Sequence, residues 1–290
     1  MEAALVAALL VPLRWLPRKP ATALAGGYTT LLDWLAPRLR MTALRNLEFA
    51  LPTLTPTDRR ILIDRVFHSI ARLLVALAKQ PSITSANIAG WIRYEGFEHF
   101  ENAKRRGKGV LFATGHLGAW ELSHYAHALM SEPMSIVVRP LDNPKLETLI
   151  SRLRGGSGNR IIGRDTYVRP ILEALHRNEA VGILVDQNMT ADRGVFVDFF
   201  GRKACVESGV AKIAARTGAA VIPGFAVWSD REQRYILHFY PPVRISGDAI
   251  EDTQRIQQAL ESAIREYPDQ WLWIHRRWKT RPEGEPPLYR

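Results

Sequence analysis

Residues 110–129, VLFATGHLGAWELSHYAHAL, decide the fold of this chain. The run VLFAT is typical of a buried β-strand, and GAWELSHYAHAL is typical of a helix. Gly115 and His116 then occupy the turn at the carboxyl end of the strand, where open α/β sheets bind their ligands. The stretch therefore predicts a strand–turn–helix unit with a candidate functional histidine at the edge of a sheet.

On both sides of this unit, apolar runs and helical stretches define the architecture. Upstream, residues 56–80 are periodic enough for a helix that begins at a Thr-Pro-Thr-Asp cap. Downstream, apolar runs alternate with helical stretches at 118–129, 143–154, 167–178 and 209–217. The runs are VLFAT, MSIVVR, RIIG, AVGILVDQ and AVIPGFAVW. Their order predicts a single α/β domain with a mostly parallel central sheet flanked by helices. RYILHFYPPVRI adds a strand and TQRIQQALESAIREY a late helix.

The spacing of His116 and Glu121 suggests a catalytic pair. Five positions on a continuous helix turn a side chain by about 500°, which leaves it about 140° from the starting face. His116 must therefore precede the helix, from where it can fold back so that Glu121 accepts a proton from one ring nitrogen. Such a carboxylate fixes the tautomer of a general base. Gly115 and Gly118 are expected to let substrate approach closely. The alternative is a capping histidine with an unrelated surface glutamate.

Composition and charge narrow the class of protein. The 290 residues are 47% hydrophobic and 23% charged, as in a globular domain. The single cysteine, Cys205, excludes an internal disulfide and a multi-cysteine zinc site, and the histidines lack metal-binding spacing, so no metal is expected. A net charge of +10 favours an anionic partner, namely nucleic acid, an acidic membrane surface or an acidic protein.

The amino-terminal residues are apolar and basic. Residues 3–13, AALVAALLVPL, are well short of the roughly 20 needed to cross a bilayer as a helix. Glu2 and the lack of a small-residue cleavage site argue against a secretory signal. Trp15 and Trp34 stand among arginines and lysines, as in helices that lie in a membrane interface. An amphipathic helix that covers the core is the alternative.

Four ordered blocks of sequence carry a family resemblance. They are GHLGAWE, VVRPLDNPKLETLISRLRG, LVDQNMTADRGVFVDFFGR followed by SGVAKIAARTGAAVIP, and YPDQWLWIHRRWKTRPEG. From Arg45 to its carboxyl terminus the chain resembles the bacterial lipid A biosynthesis acyltransferases, the late lauroyl and myristoyl transferases of the lysophospholipid acyltransferase superfamily. The resemblance implies a glycerolipid acyltransferase-like domain over residues 51–290. The apolar and basic composition predicts that a membrane-associating helical segment over residues 1–50 precedes it.

The resemblance also implies a reaction. An acyltransferase of this family moves a fatty acyl chain from acyl carrier protein, or from acyl-CoA, to a hydroxyl of an anionic glycolipid, the lipid A precursor. It needs no cofactor and works at the cytoplasmic face of the bacterial inner membrane. His116 would be the general base and Glu121 its partner, so no serine or cysteine nucleophile is required. The superfamily more often has aspartate at the second position, and glutamate is usual in the lipid A branch.

Five further residues are candidates for the site, and for most of them a purely structural role is the alternative. Arg154 falls where the family has an arginine thought important for activity. With Arg139 and Arg164 it is a candidate for binding phosphate on the glycolipid or the phosphopantetheine arm, or for stabilising an oxyanion. Asp186 and Gln187 end a strand at the same sheet edge as His116. The alternatives are a surface arginine at 154, a strand-end salt bridge at 139, and a structural pair at 186 and 187.

The terminal block WLWIHRRWKTR and the phenylalanines of GVFVDFFG are open to two interpretations each. Interleaved tryptophans and cations suit single-stranded nucleic acid, but also a membrane interface with an anionic headgroup. The resemblance and the apolar amino terminus favour the lipid, so nucleic acid is not an expected partner. Phe196, Phe199 and Phe200 either line an acyl channel or belong to the core.

Two other functions stay open. The acceptor could be another polar lipid, such as a lysophospholipid, an aminolipid or a different glycolipid. Alternatively, the chain could be a basic membrane-binding or nucleic-acid-binding protein without catalysis, although such a protein has no need of both His116 and Glu121.

Overall fold

A computed structural model describes residues 2–163 and 167–289 of the chain. The helices are α1 (Glu2–Trp15), α2 (Arg18–Leu35), α3 (Pro37–Ala50), α4 (Pro56–Lys79), α5 (Glu98–Arg105), α6 (Trp120–Met130), α7 (Pro144–Gly155), α8 (Val168–His176), α9 (Gly209–Thr217) and α10 (Ala249–Glu266). The strands are β1 (Ile92–Glu95), β2 (Val110–Thr114), β3 (Ser135–Val138), β4 (Arg160–Gly163), β5 (Ala180–Leu184), β6 (Val195–Phe199), β7 (Arg202–Val206), β8 (Ala220–Ser229) and β9 (Arg234–Phe239).

A seven-stranded sheet in the order β1-β9-β8-β2-β5-β3-β4 forms the centre of the molecule. Its neighbouring strands are parallel except for the antiparallel pair β8–β9. Helices cover both faces, which confirms the predicted single α/β domain with a mostly parallel sheet. The prediction did not include β1, α5 or the antiparallel β6–β7 hairpin.

Three large clusters of buried side chains hold this sheet. The first contains Phe112, Ile136, Ile222 and Phe239. The second packs Leu111, Val181 and Val221 of the central strands against α8 and α9. The third joins α3, α4 and α10 to the terminal block, and its largest members are Trp271, Trp273 and Trp278. The expectation that these tryptophans face a lipid headgroup is therefore wrong. Each indole ring is fully buried, because the block packs inward as part of the core rather than along the surface.

The amino-terminal helices pack onto α4. Leu13 and Ala21 lie in a small apolar cluster with Ala71 and Val75. The buried Lys79, at the end of α4, donates from its ammonium to the carbonyls of Arg14 at 2.9 Å and Leu16 at 2.6 Å. These bonds pair a lysine with carbonyls left free at the end of α1.

Apolar side chains are concentrated on the outside of these same helices. The exposed large apolar residues within 9–41 are Leu9, Val11, Trp15, Leu31, Leu32, Trp34, Leu35 and Met41. In the part of the chain that the structure describes, none of the helices combines the length and the apolar character that a membrane crossing requires. Membrane association and the division at residue 50 stay predictions. The helix that ends there, α3, shares its buried cluster with Trp271.

Candidate active site

His116 and Asp186 meet at the carboxyl edge of the sheet. Strands β2 and β5 are parallel neighbours with Thr114 opposite Leu184, and each chain continues two residues to reach its functional side chain. The backbone N–H of His116 donates to Asp186 Oδ2 at 2.7 Å, and the His116 ring nitrogen Nδ1 lies 2.9 Å from Asp186 Oδ1. A carboxylate accepts at both oxygens, so the neutral ring carries its proton on Nδ1 and leaves Nε2 basic.

The predicted hydrogen bond between Glu121 and His116 is wrong, because Asp186 binds the ring in its place. The carboxylate of Glu121 turns instead toward Arg154 on α7, whose Nε lies 3.0 Å from Oε2 and whose Nη2 lies 2.5 Å from Oε1. His124 Nε2, one turn further along α6, lies 3.2 Å from Oε2. Glu121 therefore holds the guanidinium of Arg154 in a two-pronged contact.

Electrostatics keep both carboxylates ionised. Burial raises the pKa of Asp186, but the charge and hydrogen bonds of His116 outweigh it and bring that pKa below its ordinary value. Burial likewise opposes ionisation of Glu121, and hydrogen bonds from His124 and Arg154 reverse the effect. Burial lowers the pKa of His116, while the Asp186 charge more than compensates and raises it above its ordinary value.

Two glycines make the close approach of backbones possible. A Cβ at Gly115 would lie 3.1 Å from Asp186 Oδ2, so glycine there lets the carboxylate reach the histidine. Gly118 has a φ of 63°, and a Cβ there would lie 2.0 Å from the carbonyl oxygen of Ala226. Gly118 thus packs against β8, which corrects the expectation that it makes room for substrate.

The terminal block completes the site. The backbone of residues 116–118 pairs with residues 270–272: Gly118 N–H donates to Gln270 O at 2.9 Å, and Leu272 N–H donates to His116 O at 3.0 Å. Between them, the indole N–H of Trp271 donates to Asp186 Oδ2 at 2.9 Å. Sequence reasoning missed this role of Trp271, because chain spacing gives no sign that residue 271 returns to the turn at 116.

Two cavities adjoin this edge of the sheet and share Val137, Val138, Arg154 and Leu184. The inner cavity, about 640 Å³ including its mouth, has Glu121 in its wall, and its apolar lining includes Phe112, Met134, Ile136, Leu237 and Phe239. The outer cleft, about 1300 Å³ including its opening, is lined by His116, by polar residues that include Arg139, Tyr167, Gln187 and Glu207, and by apolar residues that include Val185 and Met189. An apolar cavity and a cleft of mixed polarity therefore meet beside Arg154.

The predicted binding residues differ in their surroundings. Arg154 reaches the site, and its buried Nη1 has no hydrogen-bond partner within residues 2–163 and 167–289. Arg139 is 71% exposed at the rim of the outer cleft and lies 3.4 Å from Asp142. Gln187 lines the outer cleft, and Asp186 is bound to His116. Arg164 lies outside the described residues.

The structure also bears on two other features, the phenylalanines of GVFVDFFG and side chains that could bind a metal ion. Phe199 and Phe200 belong to the buried cluster around Trp271 and Trp273 rather than to a channel, as the core interpretation predicted. Among the described residues, His, Cys, Asp and Glu side chains do not gather in threes that could hold a metal ion.

Comparisons with known proteins identify the family of this chain. The family model described as bacterial lipid A biosynthesis acyltransferase matches residues 2–280. A lipid A biosynthesis acyltransferase of Haemophilus influenzae is 26% identical over 276 residues, covering 95% of this chain and 87% of the relative.

Two relatives from Escherichia coli (strain K12) are similar at the same level. A lipid A biosynthesis palmitoleoyltransferase is 29% identical over 251 residues, covering 85% of this chain and 81% of the relative. A lipid A biosynthesis lauroyltransferase is 29% identical over 248 residues, covering 84% and 80%. These matches confirm the resemblance that the sequence blocks carried. Since the family model covers nearly all its residues, the chain belongs to the bacterial lipid A biosynthesis acyltransferase family.

Proposed function

We propose that this protein transfers a fatty acyl chain from a thioester, carried by acyl carrier protein or by CoA, to a hydroxyl of a lipid A precursor. One observation carries the proposal: an apolar cavity adjoins a cleft that contains charged and polar side chains, and His116, which is bound to Asp186, lines that cleft. An acyl chain suits the first space and a phosphorylated sugar suits the second. The names of the relatives support the acceptor class.

His116 acts as the general base. Its Nδ1–H donates to Asp186, so Nε2 is free to take the proton of the acceptor hydroxyl. The hydroxyl oxygen then attacks the thioester carbonyl and forms a tetrahedral intermediate. When the carbon–sulfur bond breaks, the proton on Nε2 passes to the thiolate. The ester and the thiol are the products, and His116 returns to its neutral form.

Arg154 stabilises the negative charge that develops on the carbonyl oxygen. Glu121 binds its Nε and Nη2, which leaves the buried Nη1 with an unused N–H group beside the junction of the two cavities. A donor held in place before the reaction stabilises a transition-state oxyanion without reorganisation. In this mechanism Glu121 serves catalysis by orienting Arg154, and Asp186 takes the role first expected of Glu121. No cofactor takes part.

The exposed apolar surface of α1 and α2 is proposed to lie in the cytoplasmic face of the bacterial inner membrane. Trp15 and Trp34 are 77% and 76% exposed, and Arg14, Lys19 and Arg38 are exposed near them in sequence. Tryptophan and cations together suit the headgroup region of an acidic membrane. By contrast, Arg18 stacks on Trp91 and Arg40 pairs with Asp33, so these two cations stabilise the fold.

An acyl-transfer assay tests the proposal. Detergent-solubilised protein is offered acyl carrier protein and CoA thioesters with a lipid A precursor or a panel of lysophospholipids. His116→Ala should lower kcat by about two to four orders of magnitude, the range for a lost general base. His176→Ala, which changes an exposed histidine on α8, is the control. Transfer to lysophospholipids alone would overturn the acceptor, and near-normal turnover by His116→Ala would overturn the mechanism.

A further inference from the structure

We propose that Trp271 is a positioning residue, which holds the Asp186 carboxylate in the one orientation that lets it bind His116. The inference rests on the proposed function, because it concerns the same base. It assigns a role in the reaction to the terminal block, whose aromatic residues otherwise look like ordinary core.

Three N–H groups fix the two oxygens of Asp186. Oδ2 accepts from the backbone of His116 at 2.7 Å and from the indole of Trp271 at 2.9 Å, and Oδ1 binds His116 Nδ1 at 2.9 Å. Asp186 is 3% exposed and Trp271 is 1% exposed, so water does not easily replace a lost donor. The indole binds the oxygen that does not touch the ring, and it thereby opposes rotation of the carboxylate away from Nδ1.

The backbone aims the indole at this oxygen. Residues 270 and 272 on either side of Trp271 pair with Gly118 and His116, so the same short ladder carries the base and the donor. The indoles of the two neighbouring buried tryptophans donate to backbone carbonyls instead. Trp273 donates to the carbonyl of Pro268 at 2.7 Å, and Trp278 donates to the carbonyl of Phe199 at 3.3 Å. Of these three tryptophans, Trp271 is the one bonded to the catalytic pair.

The test compares Trp271→Phe with Trp278→Phe. Both changes remove an indole N–H from the buried core and keep an aromatic ring. Trp271→Phe should lower kcat about tenfold to a hundredfold, the effect of losing one hydrogen bond to a charged group, with little change in KM. Trp278→Phe should leave kcat close to that of the wild type.

The pH profile separates positioning from a merely structural effect. The Asp186 charge raises the pKa of His116, so a displaced carboxylate lets that pKa fall. The acid limb of kcat/KM should therefore move to lower pH in Trp271→Phe. A structural role would reduce the amount of active enzyme and leave the midpoint of the limb in place. An unmoved limb, or equal losses in both variants, overturns the proposal.

A double-mutant cycle tests the role of Trp271 separately from the proposed His116–Asp186 mechanism. If Trp271 acts through Asp186, then Trp271→Phe adds no further loss in the Asp186→Asn background, and an additive loss overturns the proposal. If Asp186→Asn and His116→Ala are both as active as the wild type, the proposed mechanism itself fails. If these two are inactive while Trp271→Phe equals its control, the mechanism stands and only the role of Trp271 is rejected.

A measurement on the wild-type protein covers the case in which Trp271→Phe does not fold. In a ¹⁵N-indole NMR spectrum, the N–H that donates to Asp186 should shift as His116 takes up a proton. The indoles of Trp273 and Trp278, which donate to backbone carbonyls, should stay constant. The Trp120 ring lies 4.9 Å from the His116 ring, so its signal is expected to shift in any case. If the assigned Trp271 signal does not follow the titration, the proposal is rejected.

Discussion

At the residue scale, the pKa of His116 links the site to the pH dependence of catalysis. Burial lowers this pKa and the neighbouring Asp186 carboxylate raises it, with a net rise above the ordinary value of about 6.5. A general base must be neutral to accept a proton. Activity should therefore increase as the pH rises through the His116 pKa, with a midpoint above that of an unperturbed histidine.

Asp186→Asn should remove the rise in the pKa of His116. Asparagine keeps the shape of the side chain but removes the charge that favours the imidazolium, so the acid limb of kcat/KM should move to lower pH. The same variant should lower kcat strongly, because the amide can present an N–H to Nδ1 and favour the wrong tautomer. A pH–rate profile of both proteins checks the prediction, and an unchanged limb would contradict the assignment of Asp186 as the partner.

Arg154→Lys tests the two-pronged contact with Glu121. Lysine keeps the positive charge, but its single nitrogen cannot occupy the positions of Nε and Nη2 on the carboxylate and also place a donor where Nη1 lies. The loss expected in kcat is about 10²- to 10³-fold, as for removal of one oxyanion donor. Arg152→Lys, an exposed arginine on the same helix, is the matched control. Equal rates for the two variants would exclude Arg154 from catalysis.

At the element scale, a buried asparagine adds hydrogen bonds to the apolar contact between α3 and the terminal block. Asn46 donates to the carbonyls of Trp273 at 2.6 Å and His275 at 2.8 Å, and its own Oδ1 accepts from the Tyr289 hydroxyl at 2.6 Å. Asn46→Ala leaves the Trp273 carbonyl without this donor and the Tyr289 O–H without this acceptor, whereas His275 O still accepts from the backbone N–H of Arg277 at 2.9 Å. Since each buried unpaired group costs about 1–3 kcal/mol, the free energy of unfolding should fall by about 2–4 kcal/mol.

Denaturant unfolding with a matched helix variant checks this value. Thr42→Ala removes a buried hydroxyl of α3 whose bond is to Arg38 O in the same helix, so its effect should be much smaller. If the two variants were equally stable, the contact between α3 and the terminal block would not contribute as described.

Strand β5 carries a glycine that faces the inner cavity. A Cβ at Gly182 would lie 2.8 Å from Met134 Cε, and both residues line that cavity. Gly182→Val should fill part of this space, so transfer should shift toward shorter acyl chains when thioesters of several lengths compete. Gly163→Val, at a strand position where an added Cβ has no described neighbour within 4 Å, is the control. An unchanged preference for acyl-chain length would show that the acyl chain does not bind in the inner cavity.

The elements that sequence predicted well are those with a strong local signal. The apolar runs VLFAT and RIIG correspond residue for residue to β2 and β4, and the capped helix predicted over 56–80 is α4. Strand β1, with the sequence IRYE, is short and half charged, so periodicity does not reveal it. The partner of His116 was missed for another reason. Glu121 is near in sequence, whereas Asp186 is near only because β2 and β5 are neighbours, and strand order is not written in local sequence.

At the scale of the whole molecule, the exposed tryptophans of α1 and α2 should determine membrane binding. Trp15 and Trp34 make little contact with the core, so replacing both by serine should leave the fold intact. Losing two large apolar side chains should reduce the fraction bound to acidic vesicles about tenfold or more. Sedimentation with vesicles measures this fraction. Serine at Ile161 and Ile250, which are exposed elsewhere, is the control, and equal binding of the two double variants would refute the proposed surface.

The ladder between residues 116–118 and 270–272 also bears on protein synthesis. A ribosome makes the histidine turn long before it makes Trp271, so the nascent chain contains the base without the donor that orients its partner. By the proposed mechanism, a product released before residue 270 has an unsupported base and is a poor catalyst even if its sheet forms. By the same mechanism, full activity is expected only after translation has passed residue 271.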